Sequence, residues 1–420
     1  MEKLVIEGGN PLKGVVEISG SKNSALPILA ATLLTDEPCR LSNIPKLRDT
    51  MTMIKLLKSL GKKAEFQGDE LVISSNGKTT HIADYKLVST MRGSFCVLGP
   101  LLAKLGKAQV SLPGGCVIGV RPVDLHIKGL KALGAQIDTE GGYINAKAKK
   151  LIGSHMYLGG VFGSSVLATA NVLSAAVLAE GETTIESAAC EPEIEDLSNM
   201  LNAMGAKISG VGSPRLVING VKKLKGVKYK IISDRIEAGT YMLLAAATRS
   251  NISIKGAVYS HLLALIDVLK DVGVDVIQQG EFLKIKYNPI YKPVGITTHP
   301  FPGFPTDLQA QFMALMAIVD GVSIITDRVY PDRFIHIAEL NRMGANIRRE
   351  GLIAVVQGVK TLRGAPVMAS DLRASAALVI AGLAAKGKTE IHRIYHLERG
   401  YEQLEEKLGK LGAKVYREKE

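Results

Sequence analysis

The sequence predicts an α/β protein built from six repeated units, and three observations indicate this fold class. A tag of the form L-x-x-(L/M/V)-G occurs six times and ends at Gly61, Gly134, Gly205, Gly273, Gly344 and Gly412. The spacings between these glycines are 73, 71, 68, 71 and 68 residues. An Ala- and Leu-rich segment precedes every tag, and β-like runs follow several of them. A regular period of this length indicates repeated supersecondary units.

Each tag is predicted to be the last turn of an amphipathic helix that glycine closes. Glycine has no Cβ, so it readily adopts the left-handed conformation that ends many helices. The Ala- and Leu-rich segments are apolar nearly all round, so they are predicted to be buried helices. They begin at Ser24, Ser94, Ala170, Gly239, Ala310 and Ser375. Each unit is therefore predicted to run helix, strand, helix, strand.

The six units are predicted to form two domains of three units, with a solenoid as the alternative. The strand-like segment 4–18 precedes the first buried helix, so it is expected to complete a sheet among the last three units. We therefore expect one domain at 22–232 and the other at 1–21 plus 233–420. The two crossings would form a hinge, and a cleft between two domains is a common ligand site.

The composition is that of an ordinary globular protein. The 420 residues are 46% hydrophobic and 22% charged, which does not fit a disordered chain. No apolar run reaches the ~18 residues of a membrane helix, and no signal-peptide core is present, so a cytoplasmic location is expected. The 52 Lys and Arg against 40 Asp and Glu give a net charge of +12. With no Trp and 5% aromatic residues, this charge fits small anionic substrates better than nucleic acid.

The cysteine and histidine spacings do not predict a metal site. Cys39, Cys96, Cys116 and Cys190 form no C-x-x-C pair, and the eight histidines include no H-E-x-x-H. Cys116 lies in the glycine-rich stretch SLPGGCVIGVRPVDLH, five residues before Arg121. A cysteine there can have a lowered pKa and act as an acid or a nucleophile. The alternative is an inert small side chain, which is the interpretation for the other three cysteines.

The predicted starts of the buried helices carry charged residues. Helix N-termini offer free N–H groups and the positive end of the helix dipole, which attract anions. Lys22, Arg92 and Arg373 lie at three of these starts, and Arg399 precedes the last amphipathic helix. These four residues are candidates to bind phosphate or carboxylate, with ordinary solvated charge as the alternative. His126 is interpreted as structural or supporting.

Three aspartates, Asp234, Asp307 and Asp371, occupy positions where a helix N-cap is expected. Asp234 and Glu237 also have the spacing of a capping box. Two interpretations are open for each aspartate, a structural cap and a catalytic base. One carboxylate can serve in both roles.

Seven stretches of the chain together resemble the enolpyruvyl transferases. They are GSKNSALPILAATLL, PGGCVIGVRPVDLHIKGLKALGA, EPEIEDL, DRIEAGT, FPTDLQAQF, ASDLRASAALVIAG and RIYHLERGYEQLEEKLGKLGA. They are distributed along the chain from one end to the other. The pattern PGGC-x-IG-x-RP-x-DLH is highly specific. The resemblance implies two inside-out α/β barrel domains, each of three units, which agrees with the six repeats.

The resemblance also implies an activity. The enzyme would join phosphoenolpyruvate (PEP) to the 3′-hydroxyl of UDP-N-acetylglucosamine and release phosphate, by addition and elimination, in the first committed step of peptidoglycan synthesis. A sister branch of the family acts on shikimate 3-phosphate and lacks the cysteine loop. The implied partners are PEP and UDP-N-acetylglucosamine, with no nucleic acid, no membrane, and no metal or organic cofactor. The oligomeric state is not predicted.

Individual roles follow from the same resemblance. Lys22, Arg121 and Arg399 would bind PEP. Cys116 would be the acid on a lid loop and the attachment point of the antibiotic fosfomycin, and Asp307 would exchange the hydroxyl proton. The UDP-sugar would be held by Arg92, Arg121, Pro122, Val123, Asp124, Leu125 and Val329, with Asn23 beside the sugar, Arg373 supporting the charges of PEP, and Arg333 and Asp371 close to the cleft.

One stretch departs from the family pattern. The family usually has an S-V-G-A-T loop that meets the diphosphate, whereas this chain has GGVFGSSVLATAN at 159–171, with Leu167 at the glycine of that motif. Ser164, Ser165 and Val166 are carried over as diphosphate-binding candidates. The altered loop keeps open enolpyruvyl transfer to another hydroxyl acceptor. A third alternative is a non-catalytic paralogue that binds nucleotide sugar, against which the intact candidate catalytic residues argue.

Overall fold

The computed structural model describes residues 2–112 and 123–419. Its strands are β1 Glu2–Glu7, β2 Lys13–Glu17, β3 Cys39–Ser42, β4 Lys62–Gln67, β5 Glu70–Ser75, β6 Ile82–Ala83, β7 Lys107–Ser111, β8 Gln136–Glu140, β9 Tyr143–Lys147, β10 His155–Tyr157, β11 Glu182–Glu186, β12 Lys207–Ser209, β13 Arg215–Asn219, β14 Lys228–Lys230, β15 Asn251–Lys255, β16 Val274–Gln279, β17 Phe282–Tyr287, β18 Ile296–Thr298, β19 Val322–Asp327, β20 Asn346–Glu350, β21 Ile353–Gln357, β22 Pro366–Met368, β23 Lys388–His392 and β24 Lys414–Lys419.

The α-helices are α1 Lys22–Ala31, α2 Arg48–Ser59, α3 Tyr85–Val88, α4 Leu98–Leu105, α5 Asp124–Ala132, α6 Val166–Ala176, α7 Pro192–Ala203, α8 Arg235–Ala247, α9 Leu263–Val272, α10 Gln309–Met316, α11 Ile337–Arg342, α12 Leu372–Ala384 and α13 Leu404–Lys410. Short 3₁₀ helices lie at Thr32–Leu34, Arg92–Val97, Tyr259–Leu262, Thr306–Leu308 and Ile394–Arg399. None of the described helices is long and apolar enough to cross a membrane.

The described chain divides into two compact units. The N-terminal unit contains residues 20–112 and 123–232, and the C-terminal unit contains residues 2–19 and 233–419. The divisions fall after Ser19 and Ile232, whereas the sequence placed them after residues 21 and 232. Each unit has its own hydrophobic core.

Six four-stranded sheets repeat one pattern, three in each unit. In every sheet an edge strand pairs in parallel with its neighbour, and the next two pairs are antiparallel. The strand orders are β14-β3-β5-β4, β6-β7-β9-β8 and β10-β11-β13-β12 in the N-terminal unit, and β2-β15-β17-β16, β18-β19-β21-β20 and β22-β23-β1-β24 in the C-terminal unit. The six-unit prediction is confirmed.

The opening segment is two strands, where the sequence predicted one. Strand β1 lies between β23 and β24 in the last sheet, where Leu4 pairs with Ile391 on one side and Arg417 on the other. Strand β2 is a parallel edge strand beside β15, in which Val15 pairs with Ser253. Both strands therefore complete sheets of the last three units, as expected.

The centre of each unit consists of helices. In the C-terminal unit, α8, α10 and α12 pack against one another, and α8 is buried over its whole length. In the N-terminal unit, α1, α4 and α6 with the 3₁₀ helix Arg92–Val97 take the same place. The strands alternate buried and exposed residues, as in Lys62–Gln67, so the sheets cover the central helices with one face. This is the inside-out arrangement that the resemblance implied.

The six tag glycines close the outer helices as predicted. Their φ angles lie between +90° and +108°, at Gly61, Gly134, Gly205, Gly273, Gly344 and Gly412. A side chain would be strained in this left-handed conformation, which explains why each tag ends in glycine.

Candidate functional site

In the C-terminal unit, the carboxylate of Asp307 is held between two arginines. Its Oδ1 accepts a hydrogen bond from Nη1 of Arg333 at 2.7 Å, and its Oδ2 accepts one from Nη2 of Arg373 at 2.9 Å. The arginine side chains are 5% and 4% exposed, whereas that of Asp307 is 24% exposed. The structure therefore brings three predicted residues together and leaves the carboxylate partly open to a ligand.

Of the two interpretations of Asp307, the helix cap is wrong. It lies inside the 3₁₀ helix Thr306–Leu308, and no side chain caps either that helix or α10. The two ion pairs hold its carboxylate instead. Asp307 therefore differs from a capping carboxylate, because the guanidinium groups of Arg333 and Arg373 donate hydrogen bonds to its oxygens.

The ionisation of Asp307 is set by two opposing effects. Burial raises the pKa of the carboxyl, but the charges and hydrogen bonds of Arg373 and Arg333 outweigh burial and hold the pKa well below its ordinary value. The carboxylate is therefore charged throughout the physiological pH range.

The two other aspartates are helix caps, as predicted. Asp371 accepts hydrogen bonds from the N–H groups of the second and third residues of α12, at 2.8 and 3.1 Å. Asp234 does the same for α8, at 2.8 and 3.0 Å. Glu237 does not complete a capping box, since its carboxylate binds the backbone N–H of Ser19 at 2.7 Å and Nζ of Lys407 at 2.6 Å.

Asp327, which the sequence analysis missed, fixes the loop that carries Val329 and Arg333. It is fully buried at the end of β19. Its Oδ1 accepts the N–H groups of Val329 and Tyr330 at 3.0 and 2.8 Å, and its Oδ2 accepts the hydroxyl of Thr306 at 2.7 Å. An acid that ends a strand and precedes an Arg-Val pair was the available signal. Arg399 is half-buried at the end of the 3₁₀ helix Ile394–Arg399.

In the N-terminal unit, Lys22 is the first residue of α1, which Ser21 caps. Its Nζ lies 2.8 Å from Oδ2 of Asp49, and the two side chains are 11% and 4% exposed. Lys22 is therefore a covered, ion-paired cation, and the alternative of a solvated helix start is wrong. Asn23 is half-buried beside it in the chain.

His126 is a structural residue, as interpreted from the sequence. Its Nδ1 accepts a hydrogen bond from Nδ2 of Asn171 at 2.8 Å, and its ring packs edge-on to Phe95 at 5.0 Å. Burial, with a smaller contribution from the charge of Arg92, lowers its pKa to about 3. A neutral His126 therefore anchors α5, on which Asp124 is exposed and Leu125 is half-buried.

The altered stretch at 159–171 forms a tight turn before α6. Gly160 and Gly163 exchange backbone hydrogen bonds at 2.9 and 3.1 Å. Between them, Val161 is 95% exposed and Phe162 is 56% exposed. The neighbouring candidates Ser164, Ser165 and Val166 are half-buried, and Ser165 caps α6 by accepting the N–H of Ala168 at 3.4 Å.

Cys116, Arg121 and Pro122 lie outside the described residues, and Val123 is the first described residue after them. Burial raises the thiol pKa of Cys39 and Cys190, and it raises that of Cys96 to about 12. These three thiols are therefore poor nucleophiles. Within 2–112 and 123–419, no three or more His, Cys, Asp or Glu residues are grouped to hold a metal ion.

Comparison with known proteins places this chain in a family. Residues 6–408 match the family described as EPSP synthase (3-phosphoshikimate 1-carboxyvinyltransferase). The chain is 52% identical to the UDP-N-acetylglucosamine 1-carboxyvinyltransferase of Desulfosudis oleivorans over 417 residues, 99% of each protein. It is also 52% identical to that of Cellvibrio japonicus over 420 residues, again 99% of each. The chain belongs to the enolpyruvyl transferase family.

Solved structures share the fold. The enolpyruvyl transferase NikO from Streptomyces tendae superposes with a TM-score of 0.88 at 24% identity, covering 99% of this chain and 98% of that one. EPSP synthase from Acinetobacter baumannii gives a TM-score of 0.76 at 20% identity over 100% of both chains. The two-domain α/β fold is thus that of the enolpyruvyl transferases.

Proposed function

We propose that this protein transfers the enolpyruvyl group of PEP to the 3′-hydroxyl of UDP-N-acetylglucosamine and releases phosphate, at the start of peptidoglycan synthesis. One observation carries the proposal: relatives that share about half of all residues over nearly the whole chain are named UDP-N-acetylglucosamine 1-carboxyvinyltransferase. The matched family as a whole is described by the sister reaction on shikimate 3-phosphate, so family membership alone does not choose the acceptor.

Asp307 is the proposed acceptor of the hydroxyl proton. Its low pKa makes it a weak base while both arginines are committed to it. The phosphate and carboxylate of PEP would compete for Arg373, and this competition would weaken the hold of the guanidinium on Asp307. The basicity of the carboxylate would then rise when PEP is bound. Proton acceptance by Asp307 would thereby depend on the presence of PEP.

The reaction balances in two steps. In the addition, the 3′-oxygen bonds to C2 of PEP as its proton passes to Asp307, and C3 takes a proton from Cys116. In the elimination, C3 returns a proton to the Cys116 thiolate, the C2–C3 double bond re-forms as the bond between C2 and the phosphate oxygen breaks, and the departing phosphate takes the proton held by Asp307. An acid and a base on different sides of the substrate are therefore required, and Cys116 and Asp307 are the residues we assign to those roles.

The remaining candidates supply positive charge and backbone donors. Lys22, Arg121 and Arg399 are assigned to PEP, with Arg373 supporting its charges. Arginine and lysine are the expected partners of phosphate and carboxylate groups because their hydrogen bonds to these anions are charge-assisted. The residues assigned to the UDP-sugar are Asn23, Arg92, residues 121–125, Ser164, Ser165, Val166 and Val329, with Arg333 and Asp371 supporting the site. The lid role of Cys116, its reaction with fosfomycin and the cytoplasmic location remain predictions.

Phosphate release from PEP tests the proposal. We expect release with UDP-N-acetylglucosamine and none with shikimate 3-phosphate or without an acceptor. Release with a different acceptor only would support the alternative that the changed 159–171 loop keeps open. Calorimetric binding of UDP-N-acetylglucosamine without any release would indicate a non-catalytic paralogue.

A further inference from the structure

A cluster of buried polar side chains joins the three central helices of the C-terminal unit. Thr240 lies on α8, Gln311 on α10 and Arg373 on α12, and Tyr401 follows the 3₁₀ helix Ile394–Arg399. All four residues are at most 3% exposed. Buried polar groups destabilise a core unless they are hydrogen-bonded, and a connected network fixes side-chain positions. Two members of this network, Arg373 and Gln311, donate hydrogen bonds to Asp307.

Each hydrogen bond in this network has a defined donor and acceptor. The hydroxyl of Thr240 donates to the carbonyl of Ile236 at 2.8 Å. Its oxygen is therefore the acceptor toward the hydroxyl of Tyr401, which lies 2.8 Å away, and it also accepts from Nε2 of Gln311 at 3.3 Å. The Tyr401 oxygen in turn accepts from Nη1 of Arg373 and from Nε2 of Gln311, both at 3.3 Å.

Arg373 is consequently held at two of its nitrogens. Nη2 binds the carboxylate of Asp307 at 2.9 Å, and Nη1 binds the hydroxyl of Tyr401. A guanidinium is planar and rigid, so two anchors on different nitrogens fix its orientation. Gln311 extends the restraint, because its Nε2 also donates to the backbone carbonyl of Asp307 at 2.9 Å.

We propose that Tyr401 is a positioning residue for the transfer reaction: its hydroxyl fixes the guanidinium of Arg373 in the orientation that meets PEP. The inference rests on the proposed function, in which Arg373 supports the charges of PEP. When PEP competes with Asp307 for Arg373, one of the two anchors weakens. The Tyr401 hydroxyl then holds the arginine in place, and Thr240 orients that hydroxyl.

Tyr401→Phe tests the proposal with a change of one atom. We expect the KM for PEP to rise about 10-fold, because a hydrogen bond to a charged donor is lost. The KM for UDP-N-acetylglucosamine should change little, whereas the Tm should fall, because buried donors of Arg373 and Gln311 lose their acceptor. Tyr241→Phe is the matched control, since Tyr241 is fully buried on α8 and its hydroxyl has no hydrogen-bond partner among the described residues. This control should keep wild-type kinetics.

Thr240 gives a second pair of variants. Thr240→Val preserves shape but removes the oxygen that orients Tyr401, and it should raise the KM for PEP as Tyr401→Phe does. Thr240→Ser keeps the oxygen and should restore near wild-type values. An unchanged KM for PEP in Tyr401→Phe would overturn the proposal. Equal rises in both KM values would also overturn it, because they would indicate a structural role only.

The wild-type assay separates this proposal from the proposed function. If another acceptor supports turnover, the proposed acceptor is wrong but the KM for PEP still tests Tyr401. If no acceptor does, calorimetric affinity for PEP replaces the KM, and a Tyr401→Phe affinity equal to that of the wild type overturns the inference. A wild-type protein that does not bind PEP overturns both proposals.

Discussion

The first central helices of the two units, α1 and α8, are equivalent in place but differ in charge. Helix α1 is capped by Ser21 and has Ser24 as its third residue. Helix α8 is capped by Asp234 and has Glu237 as its third residue. Both caps bind a backbone N–H of the first turn, so their structural work is the same. The two helix starts therefore differ in their side chains, which are serines in α1 and acidic residues in α8.

The same contrast extends to the other central helices. In the N-terminal unit, no acidic residue lies in the first turn of α1, α6 or the 3₁₀ helix Arg92–Val97, and the caps of α1 and α6 are serines. The C-terminal unit has an aspartate at or beside each start, at Asp234, Asp307 and Asp371. Uncompensated helix starts suit phosphate groups, whereas Asp307, one of the three aspartates, is the residue that we propose as the proton acceptor. The helix starts of the two units therefore differ in charge although their architecture is the same.

The largest expected effect concerns Cys116, the proposed acid, which does not belong to either set of helix starts. We expect fosfomycin, an epoxide that carries a phosphonate, to label Cys116 once per chain in the presence of UDP-N-acetylglucosamine. Cys39, Cys96 and Cys190 should be spared, because burial raises the pKa of each thiol. Intact mass and peptide mapping measure the result, and Cys116→Asp should abolish labelling. Adducts spread over all four cysteines would contradict the assigned role.

Asp307→Asn should reduce turnover by roughly 10²-fold or more, because asparagine cannot accept a proton. Asp234→Asn is the matched control at another helix start of the same unit. Asparagine caps a helix as well as aspartate does, so this control should keep near wild-type turnover. Phosphate release from PEP measures both variants. If they lost activity equally, the contrast between a catalytic and a capping aspartate would fail.

These two aspartates also show what the sequence could and could not predict. Capping is a local property, so Asp234 and Asp371 were predicted from the residues that follow them. The partners of Asp307 lie 26 and 66 residues away, and Tyr401 lies 161 residues from Thr240. Such contacts depend on how the units fold back on themselves. The tag glycines were predictable for the opposite reason, since each φ angle belongs to a single helix end.

The acidic start of α8 should make stability depend on pH. Burial raises the pKa of Glu237 from 4.5 to about 7, against the opposing charge of Lys407 and with Asp234 adding to the rise. Between these two values the folded state retains a proton that the unfolded chain releases, so stability falls as the pH rises. We expect a loss of about 2 kcal/mol between about pH 5 and pH 7.

Urea unfolding at several pH values measures this loss. Glu237→Gln cannot titrate at this position, so its free energy of unfolding should be flatter over the same range. Parallel curves for the two proteins would show that Glu237 is not the group responsible.

The smallest expected effect tests the neutral helix starts of the N-terminal unit. Ser165→Asp keeps a good cap on α6 and places a negative charge beside the helix dipole, so the Tm should be unchanged or slightly raised. If Ser165 faces the diphosphate, the same charge should repel it and raise the KM for UDP-N-acetylglucosamine about 10-fold. Asparagine has nearly the same shape as aspartate and caps equally well. Ser165→Asn should therefore change the KM for UDP-N-acetylglucosamine much less. A KM that rises equally in both variants would mean that side-chain size, and not charge, matters at this helix start. Unchanged KM values in both would remove Ser165 from the diphosphate site.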